Sequence, residues 1–444
     1  MKKTLKHLLK HLMMGLLSVV MVLAGLAPFG QTAHAQEPVK LTFWHGMGGS
    51  TGEALQKLVD QFNESQDEIV VEAQYQGSYD ETLTKLRSSA SGSEVGADVV
   101  QVFEQGLQFM TDSGLTTPIQ DYVDADNFDL SEFEPNLLAY YTINDSLQSM
   151  PFNSSTPIMY YNKDIFDKAG ITEVPKTMRE IFEIAPTLVE KGGATMAMST
   201  TIYGWYIEQW MNKGAFDIFD NGNGREQAAT KVAFDENGGM EKILQMWKDG
   251  VDSGAMPNVG REGGSPEFVA GQSAITIGST ASLRQILTEV DNRFEVGTAY
   301  YPGVDEEDQD GVSIGGASLY IIDSGDQARQ DAAWKFIQFL VSAPSQAQWN
   351  ADTGYFPVTT AAHEEETFKK NLEEFPQFQT AIDQLHDATP ESQGGVSAVN
   401  QEARQIFEAE LENLLNGNKD VQTAVADMAS QVNKALEDYN AANK

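Results

Sequence analysis

Between Leu41 and Phe103 three apolar runs alternate with two amphipathic segments, and no other feature restricts the fold as tightly. Leu41–Trp44, Ile69–Tyr75 and Ala97–Phe103 read as strands. After the Gly-rich turn His45–Gly52 comes a helix with Ala54, Leu55, Leu58, Val59 and Phe62 on one face, and a second helix runs from Tyr79 to about Ser89. Strand–helix–strand–helix–strand at this spacing implies a parallel sheet with right-handed crossovers, hence an α/β fold. In open α/β sheets a guest lies outside the carboxyl ends of the strands. That rule selects Trp44 and His45, Tyr75 to Tyr79, and Glu104. Glu104 follows the apolar run Val99–Phe103, so it is either an exposed strand-end acid or a carboxylate met by hydrogen-bond donors. Both readings stay open at this point.

The stretch Pro151–Ile171, PFNSSTPIMYYNKDIFDKAGI, reads as a polar crossover, then a strand over Pro157–Tyr161, then an amphipathic helix. It carries no base, nucleophile or metal-ligand set, but it offers hydroxyls and backbone N–H groups where the chain passes from one lobe to another. A helical region is expected from about Lys176, then an aromatic-rich segment with Tyr203, Trp205, Tyr206 and Trp210. Gly238–Gly250 reads as a helix, and Ala274–Ile277, Phe294–Pro302 and Ile314–Ile322 as strands. Ala328–Ser342 is a helix with Ala332, Ala333, Phe336, Ile337 and Leu340 inward, and the C-terminal third is helical.

The first 35 residues stand apart. Lys2, Lys3, Lys6 and Lys10 precede a largely apolar run from Leu12 to Phe29, and Ala33-His34-Ala35 is an A-x-A site. This pattern is that of a secretory signal peptide cut after Ala35, which implies export to the periplasm. A retained membrane anchor is disfavoured by Gly15, Gly25 and Pro28 within the run. The absence of cysteine removes disulfides, thiolate metal sites and cysteine catalysis. The formal charge is −36, and without the four signal lysines it becomes −40, a surface that repels nucleic acid and anionic lipid.

One enzyme-like motif occurs. Gly48-Gly49-Ser50-Thr51-Gly52 matches G-x-S-x-G between a strand and a helix, which would make Ser50 the nucleophile of a secreted hydrolase. Yet it follows the first strand rather than a later one, and only His363 and His386 remain as a base, both in polar helical stretches. No paired-histidine metal spacing and no phosphate-binding P-loop exists, and Asp308–Gly311 lacks the ligand spacing of a calcium loop. No cofactor and no metal is expected.

Seven ordered segments carry a resemblance: FWHGM at Phe43–Met47, YQGSYDETL at Tyr75–Leu83, QVFE at Gln101–Glu104 and PFNSSTPIMYYNKDIFDKAG at Pro151–Gly170, then IGGASLYI at Ile314–Ile321, TGYFPVT at Thr353–Thr359 and QEARQIFEAELE at Gln401–Glu412. Through them the chain resembles the family 1 extracellular solute-binding proteins of ABC importers, in the branch that binds phosphorylated glycerol compounds. The resemblance implies a two-lobe, type II, maltose-binding-protein-like fold with hinge crossovers. It implies lobe one over 36–152 and 300–346, and lobe two over 153–299 and 347–444. It also implies a monomer that hands a small phosphorylated glycerol ligand to membrane permease subunits, without catalysis and without nucleic acid. The ligand contacts it implies fall on Tyr79, Glu104, Ser155, Ser279, Gly316, Tyr355 and Arg404. Arg404 would meet the phosphate with its guanidinium fork, the hydroxyls and the Gly316 N–H would supply neutral donors, and Glu104 would accept from glycerol hydroxyls.

One position departs from the family. Where the family has tryptophan after Lys-Thr, this chain has Met178, a looser wall that leaves glycerol-3-phosphate and glycerophosphodiesters such as glycerophosphocholine both open. Trp44 and Trp205 are further candidates for the pocket wall. The main rival is a sugar binder of the same fold, for which a phosphate-facing Arg404 would be superfluous.

Overall fold

The structure, a computed structural model, describes residues 37–90, 92, 95–389 and 392–442. The expected signal peptide and its cleavage site therefore lie outside the described residues. The chain divides into Met1–Pro38 and Val39–Lys444, and all regular elements named here belong to the second unit. No helix among the described residues is long and apolar enough to cross a membrane.

Twelve strands occur among the described residues: β1 (Val39–His45), β2 (Ile69–Tyr75), β3 (Val99–Phe103), β4 (Thr116–Thr117), β5 (Thr142–Ile143), β6 (Ser146–Leu147), β7 (Met150–Ser155), β8 (Pro157–Asn162), β9 (Met196–Ser199), β10 (Ser273–Ser279), β11 (Val296–Tyr300) and β12 (Gly315–Ile322). The first sheet has the order β2-β1-β3-β12-β4, with β7 also paired to β12. β2, β1 and β3 run parallel as expected, from Val39↔Ile69 to His45↔Tyr75 and with Phe43↔Val99. β12 is antiparallel to β3, and β7 is antiparallel to β12, so the sheet is mixed rather than wholly parallel. The second sheet is β11-β8-β10-β9.

The passage between the sheets differs from the reading of the sequence. Pro151–Ser155 is not a loop but most of β7, buried at every position. Its polar residues hide the strand because no alternation of apolar side chains marks it; Asn153 bonds to other side chains instead. Only Thr156 separates β7 in one sheet from β8 in the other. Its carbonyl accepts from Thr280 N at 2.9 Å, and its hydroxyl accepts from Gln384 Nε2 at 3.1 Å.

Each sheet has its own core. Phe43, Leu55, Leu58, Phe336, Ile337 and Trp349 fill that of the first. Trp205, Trp210, Trp247, Phe234 and Phe407 belong to that of the second. The expected inward faces are buried, at Ala54 to Phe62 and at Ala332 to Leu340. In the segment from 347 onward, Trp349, Phe356, Phe368 and Leu385 pack into the first core, whereas Phe407, Leu411, Val425 and Val432 pack into the second. The buried carboxylate of Asp98 stitches the first sheet to its covering helix Gln327–Leu340, accepting from Arg329 Nε and Nη2 at 2.8 and 2.7 Å and from Thr42 N at 2.8 Å. Such bidentate geometry is the strong form of an ion pair.

At the end of β1, His45 is buried, and burial lowers its pKa from 6.5 to about 4 although its Nδ1 accepts from Met47 N at 3.3 Å. The unfolded chain takes up this proton near pH 6.5, the folded chain only near pH 4. The unfolded state thus binds more protons in that window, and stability falls as pH drops through it. Denaturant unfolding across this range is expected to show a shallower acid loss for His45→Gln than for the wild type. Equal slopes would show that His45 carries none of this pH dependence.

Candidate functional site

Five strand ends meet at one place, four of the first sheet and one of the second. β1 and β3 bring their carboxyl ends there, and because β12 is antiparallel to β3, its amino end, Gly315-Gly316, arrives at the same edge. β7, antiparallel to β12, ends there at Ser155, and β10 of the second sheet ends at Ser279. A cavity of about 240 Å³ opens at this meeting. Of the residues expected from the sequence, Tyr79, Glu104, Ser155, Ser279, Gly316, Tyr355 and Trp205 line it. Phe103, Tyr203, Ala281 and Ser282 line it too, beyond those expected. Phe103 and Ala281–Ser282 adjoin expected positions along the chain, and Tyr203 lies in the aromatic-rich segment, so their signals were present but not assignable to one cavity.

A relay of polar groups holds one wall. Gln101 Oε1 accepts from Gly46 N at 3.0 Å, while its Nε2 donates to Asn153 Oδ1 at 2.7 Å. Asn153 Nδ2 donates to the Tyr79 hydroxyl at 2.8 Å, and that hydroxyl lies 3.4 Å from the Tyr355 hydroxyl. Tyr79 stacks on Phe103 with centroids 5.5 Å apart, and Tyr355 stacks on Trp349 at 5.6 Å. Burial raises the pKa of both tyrosines, so each offers a neutral hydroxyl at ordinary pH. Rings locked by stacking and hydroxyls locked by hydrogen bonds make a preformed polar surface, the arrangement that binds a ligand with little loss of side-chain freedom.

The three remaining expected residues stand elsewhere. Trp44 does not line the cavity; its indole Nε1 donates to Gln74 Oε1 at 3.3 Å. Met178 opens the helix Met178–Glu190, has no exposed surface, and packs into the second core rather than lining the cavity, which Trp205 does line. Arg404, on the helix Asn400–Leu415, is also absent from the lining and buried. Its Nε and Nη2 donate to Glu208 Oε1 and Oε2, both at 2.6 Å, and Nη2 lies 2.8 Å from Glu104 Oε1. With its amide oxygen turned to the guanidinium, Gln105 accepts from Nε and Nη1. Against burial, which acts to lower it, Glu208 and Glu104 raise the Arg404 pKa. Burial raises that of Glu104, opposed by Arg404. Glu208, the partner of Arg404 from 196 positions away, was not singled out by sequence reasoning.

The hydrolase constellation is not assembled around Ser50, which is exposed in the first turn of the helix Gly49–Ser65. His363 stacks on Phe368, and His386 Nε2 lies 3.1 Å from Glu134 Oε1.

Residues 57–377 match the family described as bacterial extracellular solute-binding protein. The sn-glycerol-3-phosphate-binding periplasmic protein UgpB of Yersinia enterocolitica is 31% identical over 424 residues, covering 93% of this chain and 96% of that protein. The protein of the same name from Rhizobium meliloti is 32% identical over 428 residues, covering 93% and 96%. Among solved structures, UgpB from Mycobacterium tuberculosis in complex with glycerophosphocholine superimposes with a TM-score of 0.74 at 23% identity, covering 91% of this chain and 99% of that one. The cyclic alpha-maltosyl-1,6-maltose binding protein from Arthrobacter globiformis does so with a TM-score of 0.73 at 24% identity, covering 90% and 100%. At these identities the two structures speak for the fold alone, which is that of the maltose-binding-protein-like solute binders. By its family match and by relatives above 30% identity over nearly its whole length, the chain belongs to the bacterial extracellular solute-binding proteins.

Proposed function

We propose that this protein captures sn-glycerol-3-phosphate or a glycerophosphodiester in the periplasm and delivers it to the permease subunits of an ABC importer, without chemical change to the ligand. The observation that carries this reading is the convergence of Tyr79, Glu104, Ser155, Ser279, Gly316 and Tyr355 on one cavity at the edge shared by both sheets. Their chemistry suits the ligand: serine and tyrosine hydroxyls donate to phosphate oxygens, and Glu104 accepts from glycerol hydroxyls. The names of the relatives support the same ligand class. The two lobes of the reading are 36–152 with 300–346, and 153–299 with 347–444. The stretch 347–385 rides largely on the core of lobe one, and hinge motion occurs where the chain crosses, at Thr156 among other points.

Calorimetry and thermal unfolding test the proposal. Glycerol-3-phosphate or glycerophosphocholine at about a hundred times its Kd should stabilise the protein by about 2.7 kcal/mol, whereas glycerol should not. Silence toward both phosphorylated compounds, with saturation by a neutral oligosaccharide, would instead establish the sugar-binding reading. That rival draws on Tyr203 and Trp205, whose ring centroids lie 6.2 Å apart beside the cavity and present faces on which a sugar stacks.

A further inference from the structure

Arg404 is nearly saturated by protein acceptors. A guanidinium carries five N–H groups. One Nη2 hydrogen and the Nε hydrogen are taken by the two oxygens of Glu208, Glu104 Oε1 lies 2.8 Å from Nη2, and the single Gln105 oxygen takes one Nη1 hydrogen, which leaves one Nη1 hydrogen over. A ligand anion that takes two parallel N–H bonds from this arginine does so only by replacing one of these partners. Glu104 lines the cavity and is 5% exposed at its side chain, so its departure would dismantle the cavity wall. Glu208 holds the guanidinium edge in the two-oxygen, two-donor geometry that a phosphate also adopts, and its side chain is 15% exposed, which leaves it a path to water.

The local backbone keeps this pairing in place. Glu208 lies one turn after Gly204 on the helix Gly204–Lys213, the same helix that presents Trp205 to the cavity. A Cβ on Gly204 would fall 2.8 Å from Arg404 Cβ and 2.9 Å from Arg404 Cα, so only glycine lets this helix lie so close to Arg404. Gly204 N donates to Glu408 Oε1 at 3.0 Å, pinning the first turn. Residues four apart share a helix face, which is why Glu208 then meets the guanidinium.

We propose that Glu208 is an internal stand-in for the ligand's phosphate: it occupies Arg404 in the empty protein and is displaced on binding, which makes it a specificity-determining residue. This rests on the phosphorylated-ligand reading above. Only a guest able to accept two parallel N–H bonds compensates Arg404 for the loss of Glu208, so a neutral polyol fails to open the pair. Displacing Glu208 also releases a contact of the helix that bears Trp205, linking phosphate recognition to the aromatic wall.

The test is calorimetry of sn-glycerol-3-phosphate with the wild type, Glu208→Gln and Glu408→Gln. Glu208→Gln keeps the shape but weakens the competitor, and should bind about tenfold tighter than the wild type. Glu408→Gln removes a nearby negative charge that is bonded to Gly204 and Arg261 rather than to Arg404, and should change affinity by no more than about twofold. Should Glu208→Gln not fold, Glu208→Asp, whose carboxylate is one methylene short of Arg404, is expected to bind tighter by a smaller factor. A wild type that binds while the Glu208 variants bind equally or more weakly overturns the stand-in, as does an equal gain from Glu408→Gln. A wild type that binds neither glycerol-3-phosphate nor glycerophosphocholine overturns the functional reading, and this inference with it.

Discussion

Arg404→Ala is expected to abolish binding of phosphorylated glycerol compounds and to destabilise the protein by about 3–5 kcal/mol, the usual consequence of removing one partner from a buried ion pair. The magnitude follows from what stays behind. Glu104 and Glu208 both bond to the guanidinium, so its removal leaves two carboxylates facing each other without a counter-charge, one of them almost fully buried. Binding and stability fall together in the alanine variant, and Arg404→Lys separates the two. Lysine restores a charge but not the planar fork, so stability should recover in large part while affinity for a phosphorylated ligand stays low. The measurements are denaturant unfolding for stability and calorimetry for binding. An alanine variant that still binds glycerol-3-phosphate with wild-type affinity would make Arg404 a purely architectural residue, and the neutral donors around the cavity would have to hold the phosphate alone. Under the rival sugar-binding reading, by contrast, a folded Arg404 variant would bind the neutral sugar almost as the wild type does.

The second large effect is expected at Gly316. Its φ is +98°, a conformation that other residues adopt only with strain, and an added Cβ would collide with the carbonyl oxygen of Asn153. That oxygen belongs to β7, which pairs with β12 through Gly316↔Ser154, and the Asn153 side chain positions both the Tyr79 hydroxyl and Gln101. Gly316→Ala must therefore push the two strands apart or twist β12, and either movement misplaces a wall of the cavity. Backbone strain alone is worth roughly 1–3 kcal/mol, and the contact with Asn153 adds to it. A loss of ligand affinity on the order of a hundredfold should accompany the drop in stability, since a displacement near 1 Å is enough for such an effect on a positioned site. Far-ultraviolet circular dichroism would show whether the fold persists. An alanine variant with unchanged melting temperature and unchanged affinity would mean that the β7–β12 junction is softer than its geometry indicates.

Much of this architecture was legible before any coordinates, and the reasons are local. β2 matches its expected bounds of Ile69–Tyr75, and the helix faces at Ala54–Phe62 and Ala332–Leu340 are buried as their periodicity requires. A period of 3.6 in a helix, or an unbroken apolar run in a buried parallel strand, is written within a dozen residues. β7 escaped notice because MPFNSS has neither signal; what makes it a strand is β12, far downstream in the chain. β9 escaped in the same way, since Met196–Ser199 is a strand only because β10 lies beside it.

The cavity divides along the same line. Residue types at strand ends, Tyr79 and Glu104 among them, pointed to the site because the edge of an α/β sheet is where its backbone ends and a guest begins, whereas Ser279 was indicated only by the family resemblance. The state of Arg404 was beyond reach, because a guanidinium on an amphipathic helix looks alike in sequence whether it faces water, a ligand or a carboxylate. Local composition thus determined the elements and the general location of the pocket. Tertiary structure alone decided which charge neutralises which. An ion pair depends on side chains that the folded backbone brings to hydrogen-bond distance, and Glu208 and Arg404, 196 positions apart, meet at 2.6 Å.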